Sequence, residues 1–389
     1  MKLPAFLLSL LVHSVAVAQP STDLHQKAIL VDTHNDFPSA SIEKKLSLDQ
    51  SLKGKTHSDL DRLMKGGVDI QLFSIFCGGD QSRPYDWANR EIDSVYAWAA
   101  RNPGKMMMVT NSNELQEAVK QHKLGAMLGM EGGHMMEDDL DKLDALYKRG
   151  VRYMTLTWNN SPSWATSALD ETTQSNLPHK GLTEFGKQVV RRMNELGMLV
   201  DLSHTGERTF WDAMAITTRP VIASHSCVYN LCPHRRNLKD DQIKAIGKNG
   251  GVIHLNFYAG FIDSSYERRS SAFLSQHQAE IDSMAATGMQ PDYARFAVAE
   301  KYPGNVNGMR PSIELLLDHL DYIVRLIGVD HVGLGSDFDG IEAPPQELNG
   351  VEDFPLITAA LLKRGYSKKD IYKILGGNFI RVLRANEAH

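Results

Sequence analysis

Cysteine is scarce: the 389 residues hold three, Cys77, Cys227 and Cys232, with no Cys-x-x-Cys pair. An odd count leaves at least one thiol unpaired, which excludes a fold resting on a disulfide framework, and the missing pair argues against a thiolate zinc site or a dithiol redox motif. A Cys227–Cys232 bridge stays open at this level. An excess of positive charge is also lacking. The formal net charge is -5 with both signs interspersed, so a phosphate backbone finds no basic surface and nucleic acid is not expected as a partner. The first apolar run ends Val31-Asp32-Thr33-His34-Asn35-Asp36, without the glycines that an open dinucleotide-binding sheet places at its first turn. The last residues, Arg384 to His389, form no hydrophobic tail, so no lipid-anchor signal is expected. Internal repeats, low-complexity stretches and linkers are missing too, and a single domain is the economical expectation.

What is present is an ordinary globular composition, 42% hydrophobic, in a chain long enough for a substantial core. Lys2 is followed by a mostly apolar stretch ending Ala16-Val17-Ala18 before Gln19. That is the layout of a cleavable secretory signal, and it is short for a membrane span of about 20 residues. The expectation is a signal at 1–18, a mature domain at 19–389 with no membrane span, and a secreted or periplasmic protein.

Eight apolar, β-rich runs alternate with segments of helical period. The predicted strands are Ala28–Thr33, Val68–Phe76, Gly125–Met130, Val151–Thr157, Met198–Leu202, Pro220–Ser224, Gly251–Asn256 and His331–Ser336. Predicted helices include Leu140–Lys148, Thr183–Leu196, Glu207–Ile216, Leu238–Gly247 and Ile313–Ile327, with Gly150, Gly197 and Gly328 placed to end the turns. Near-continuous apolar runs suit strands covered on both faces, and the repeat predicts an α/β fold, a (β/α)8 TIM-like barrel. The long excursion Phe257–Gly308 after the seventh strand predicts extra helices over the rim, and the tail after Asp339 predicts further helices.

The strand ends carry the chemistry. His34 and Asp36 follow the first strand, Glu131 follows the third, His204 follows Ser203, His225 follows Ser224, and Asp337 leaves the eighth. A parallel barrel collects these ends on one rim, where barrel enzymes keep their active sites. His34 and Asp36, two apart, point the same way in an extended chain and reach one cation. Glu131 offers two oxygens to bridge two ions, and Gly132-Gly133 lets the backbone bend around it. Neutral imidazoles of His204 and His225 suit zinc. Asp337 is then placed as a general base and acid, and Asp339, before Gly340, as a turn residue. The remaining histidines, including His57, His122, His179, His254, His277, His319 and His331, have no acid partner at a strand exit and are expected to be structural.

At these residues the chain resembles the membrane dipeptidase, or renal dipeptidase, family of the metal-dependent amidohydrolase superfamily. The matching stretches are His34-Asn35-Asp36-Phe37-Pro38, Glu131-Gly132-Gly133-His134, Asp201-Leu202-Ser203-His204, Ser224-His225-Ser226, Arg235-Arg236-Asn237 and Asp337-Phe338-Asp339-Gly340. The resemblance implies two Zn2+ ions, one on His34 and Asp36, the other on His204 and His225, bridged by Glu131. It implies hydrolysis of L-Xaa-L/D-Xaa dipeptides by a metal-bridging hydroxide, with Asp337 passing the proton to the leaving amine. Arg236 matches the arginine that grips the substrate carboxylate, a role its planar fork suits. Tyr258 resembles a substrate-contacting tyrosine, and relatives suggest a homodimer. One position departs: where the family pattern often has a substrate-contacting histidine after Tyr153-Met154-Thr155-Leu156-Thr157, this chain has Trp158. Indole donates one hydrogen bond and carries no proton, so Asn159, Asn160 and His134 become candidate donors. Two alternatives remain: another amidohydrolase such as a lactonase, for which His-x-Asp and Glu131 in place of His-x-His and a bridging lysine speak poorly, and a catalytically altered metal-binding relative.

Overall fold

In the computed structural model, which describes residues 18–289 and 291–387, each of the eight apolar runs forms a strand. They are β1 (Leu30–Asn35), β2 (Val68–Phe76), β3 (Leu124–Glu131), β4 (Val151–Thr155), β5 (Leu199–Asp201), β6 (Ile222–Ala223), β7 (Val252–Leu255) and β8 (Val332–Leu334). Each pairs in parallel with the next, and β8 pairs with β1 through Asp32 and Leu334, closing the barrel. A further three-residue strand, Met106–Met108, lies parallel to the start of β3; its methionine run has no strand-like alternation and is not among the predicted strands. The proposed signal falls largely outside the described residues. No described helix is long and apolar enough to cross a membrane.

Helices begin and end where local chemistry asks for it. Thr183 lies just outside helix Glu184–Leu196 and its hydroxyl accepts from the Gly186 N–H; Gly197, at φ 78, closes the other end in the left-handed region. The predicted strand Pro220–Ser224 shrinks to two residues. Pro220 has no N–H to donate, and the Ser224 N–H turns to the Asp201 carboxylate at 2.7 Å instead of a neighbouring strand.

Two cores hold the barrel. Inside, Val31, Ile70, Leu72, Met127, Tyr153, Leu199, Ile222 and Val252 pack together, and helix Asn378–Asn386 joins them through Phe379, Val382 and Leu383. The larger core lies between the strands and the helices around them. After β7 the chain makes the expected excursion: helices Ala259–Ile262, Tyr266–Gln276, Gln278–Ala286, Pro291–Lys301 and Pro303–Asn307. Tyr266, Phe273, Ile281, Val298 and Val306 give it a small core of its own. The Ala259 N–H donates to the Ala343 carbonyl at 2.9 Å, tying the excursion to the loop after β8.

Candidate metal centre

A bulge in β1 aims the first ligand candidate. Asp32 pairs with Gln71 and Asn35 with Phe73, so three steps along β1 match two along β2. The extra residue falls at Thr33–His34, and a bulge of this kind re-aims a side chain. His34 is fully buried and its Nε2 lies 3.3 Å from Glu131 Oε2 and 3.5 Å from Asp36 Oδ2.

Glu131 stands at the middle. Its Oε1 faces His204 Nε2 at 2.9 Å and His225 Nε2 at 3.4 Å, while its Oε2 faces His34 and accepts from the Ser74 hydroxyl at 3.2 Å. The two imidazoles of His204 and His225 bring their Nε2 atoms to 3.0 Å. Asp337 joins the other side, where its ligand atom and those of His34 and Asp36 all lie within 4.8 Å of one another. Asn256 Nδ2 donates to Asp337 Oδ2 at 2.7 Å. His204 and Asp337 sit at φ 61 and 62, a left-handed conformation that costs energy in non-glycine residues and collects at functional sites.

Each imidazole is held from behind. His34 Nδ1 meets the Tyr153 hydroxyl at 2.9 Å, His204 Nδ1 meets Asn159 Oδ1 at 3.2 Å, and His225 Nδ1 meets Ser224 Oγ at 2.8 Å. Ser224 in turn donates to Asp201 Oδ2 at 2.6 Å. This outer layer directs every Nε2 lone pair inward. Tyr153, Asp201, Ser224 and Asn256 had no role in the sequence reading. The acid in Leu199-Val200-Asp201 was a usable signal, since a carboxylate in an apolar strand needs partners.

The electrostatics agree with a cation-binding cluster. Burial holds His204 and His225 below the ordinary imidazole range, His204 at about 3, so both imidazoles are neutral. Burial disfavours charge on His34 too, but the Tyr153 hydroxyl, Glu131 and Asp36 outweigh it and raise its pKa well above the usual value. Burial pushes the Glu131 carboxyl up, yet the imidazoles around it bring it well below its normal range. Asp337 is pushed well up by burial and by the charge of Asp36. His34 Nε2 and Asp36 Oδ1 are buried without a hydrogen-bond partner. Buried imidazole and carboxylate atoms left open toward one another are donors in want of a cation, and the set suits a divalent ion of borderline hardness.

The other predicted residues divide. Arg236 is 5% exposed; its Nη2 donates to the His225 carbonyl at 3.2 Å, and Nε and Nη1 have no partner. Trp158 lies beside the cluster, its ring 6.4 Å from that of His204 and 4.9 Å from Phe76. Of the candidate donors, Asn159 is engaged with His204, and His134 Nε2 meets the Cys77 carbonyl at 3.1 Å. Gly79 comes so close to Asn160 that an added Cβ would lie 2.4 Å from its amide carbon. The Tyr258 hydroxyl donates to Glu342 at 3.1 Å, beside Tyr266. Asp339 has the left-handed φ of a turn residue, 68, but its carboxylate accepts from the His57 N–H at 2.6 Å and so ties two loops together. His254 bonds the Ala223 carbonyl at 3.1 Å, a structural place. The three cysteines are free and buried, so no bridge joins Cys227 to Cys232.

A closed parallel barrel whose strand ends gather imidazoles and carboxylates this tightly is the framework of a metal-dependent hydrolase. The family model of membrane dipeptidase (Peptidase family M19) matches residues 18–389, and the chain belongs to that family of metallo-dipeptidases. An uncharacterized dipeptidase of Schizosaccharomyces pombe is 32% identical over 384 residues, covering 94% of this chain and 82% of the relative. Among solved structures, the probable dipeptidase PvdM of Pseudomonas aeruginosa matches with a TM-score of 0.77 at 23% identity, over 96% of this chain and 99% of that one. A metallopeptidase of Rhodobacter sphaeroides, liganded with a phosphinate mimic of L-Ala-D-Ala, matches with a TM-score of 0.74 at 23% identity, over 93% and 100%. At those identities the solved structures speak for the fold.

Proposed function

We propose that the chain hydrolyses dipeptides with two Zn2+ ions, His34 and Asp36 holding one, His204 and His225 the other, and Glu131 between them. The observation that carries this reading is the division of Glu131: one oxygen faces His34, the other faces His204 and His225. Zinc held by these residues would supply Lewis acidity, polarising a scissile carbonyl and acidifying an attacking water.

The protein's own groups do the rest. Arg236 turns two unpartnered donors to the substrate carboxylate and so measures a two-residue length. Asp337, oriented by Asn256, takes the proton of the attacking water and returns it to the leaving amine. The ligand of the Rhodobacter relative, a mimic of L-Ala-D-Ala, supports tolerance for a D-residue at the C-terminal position. Export through the signal at 1–18, to a periplasm or beyond, belongs to the same reading and rests on the layout of that segment.

Purified protein incubated with a mixed panel of L,L and L,D dipeptides is expected to cleave them. Chelator should stop the reaction and lower the thermal midpoint, because an ion bound only by the folded chain stabilises it. Chelator-insensitive turnover, or lactone opening with no dipeptide cleaved, would overturn the reading.

Trp158 gives a second expectation. An indole beside His204 can donate a hydrogen bond but cannot act as an acid, so Trp158→His is expected to raise kcat on small dipeptides about tenfold, less than the 10²–10³ of an evolved oxyanion donor. Metal content should stay unchanged. An unaltered kcat would show that other groups already fill that role.

A further inference from the structure

We infer that Tyr153 is the positioning residue for the His34–Asp36 half of the centre and governs that half separately from the other. The inference rests on the two-ion reading.

The Tyr153 hydroxyl sits 2.9 Å from His34 Nδ1 and 3.2 Å from the Thr33 carbonyl. A carbonyl only accepts, so the phenol donates to Thr33 and its lone pair takes the proton on His34 Nδ1. That arrangement makes His34 Nδ1 the donor to the phenol and turns Nε2 toward Glu131 and Asp36, as the atom left to hold a cation. The bulged backbone of β1 and the imidazole it carries are thus pinned by one oxygen atom.

The pin reaches from β4 to β1, and Gly129 makes that reach fit. Gly129 is the register partner of Tyr153, and an added Cβ would lie 2.0 Å from two ring carbons. The ring occupies the place where a side chain at 129 would stand.

The other half is held by different groups. Ser224 Oγ meets His225 Nδ1 and donates to Asp201, whose Oδ1 accepts from the Ser203 and Ser224 N–H groups at 3.1 and 2.7 Å. Asn159 holds His204. These bonds share no atom with those of Tyr153. The halves meet at the carboxylate of Glu131, where the His34 and His225 rings lie 3.8 Å apart, and where the Thr33 hydroxyl donates to the Ser224 carbonyl at 2.7 Å.

Tyr153→Phe removes the oxygen and keeps the ring against Gly129. Loss of an outer-layer partner to a ligating imidazole lowers metal affinity about 10–100-fold. In equilibrium dialysis of the full chain against buffered Zn2+, the variant is expected to bind one ion with unchanged affinity and the other 10–100-fold more weakly. Ser224→Ala is expected to weaken the ion that Tyr153→Phe spares. Co2+ substitution gives a readout independent of turnover: the visible absorption of one half should disappear in each variant. Thermal unfolding of the chelated proteins separates this from a general loss of fold, which would weaken both ions together. Two ions retained with wild-type affinities in Tyr153→Phe, or both weakened equally, would overturn the inference and leave the dipeptidase reading standing. Wild-type protein that takes up no Zn2+ would overturn both.

Discussion

Glu131→Gln is expected to abolish dipeptide turnover and to leave the protein short of at least one ion. The carboxylate is 4% exposed and faces three imidazoles within 3.4 Å. Glutamine matches its shape but replaces one oxygen by an amide NH2, a donor with no lone pair for a cation. The negative charge that would offset bound cations in a buried place goes with it. Whichever way the amide turns, one half of the centre faces hydrogen in place of oxygen. Metal analysis beside turnover on the same preparation checks this. A variant that is active and fully loaded would remove Glu131 from the bridging position and undo the division of the site into two halves.

Arg236→Met is expected to separate activity from stability. A substrate carboxylate that loses its buried guanidinium loses about 2–5 kcal/mol, a factor of about 30 to several thousand in kcat/KM. Most of it should fall in KM, because the carboxylate is gripped equally in ground and transition states. The thermal midpoint should hold or rise. Burial lowers the Arg236 pKa to about 10 while neighbouring carboxylates favour its charge, and two of its nitrogens lack partners. Methionine fills similar space without a charge to desolvate, a gain that offsets the attraction lost to those carboxylates. C-terminally amidated dipeptides are the control: wild-type enzyme should discriminate strongly against them, and the variant should not. A variant that keeps this discrimination would place carboxylate recognition elsewhere.

How far the molecule could be read from its residues differs from place to place. Val68–Phe76 coincides with its predicted strand, and helices Leu140–Lys148, Glu207–Ile216 and Ile313–Ile327 match theirs end to end, because strong periodicity and short caps leave one solution. Prediction was weaker at β6 and at Met106–Met108. A two-residue strand bordered by Pro220, and a methionine run without alternation, carry no local signature of pairing. The candidate ligands were legible because each ends an apolar run, and a barrel turns that one-dimensional position into a shared rim.

From the chain alone came the repeat of strand and helix and the set of imidazoles and carboxylates, since these depend on residue type and spacing; Arg236 was singled out by the family resemblance. Folding alone decided which oxygen of Glu131 faces which imidazole, the bulge that turns His34 inward, and the grip of Tyr153 across Gly129. It also decided that Tyr258 turns to Glu342. Those outcomes depend on distances of a few ångströms between atoms carried by different strands. No local pattern encodes such distances, because they are set jointly by every strand that closes the ring.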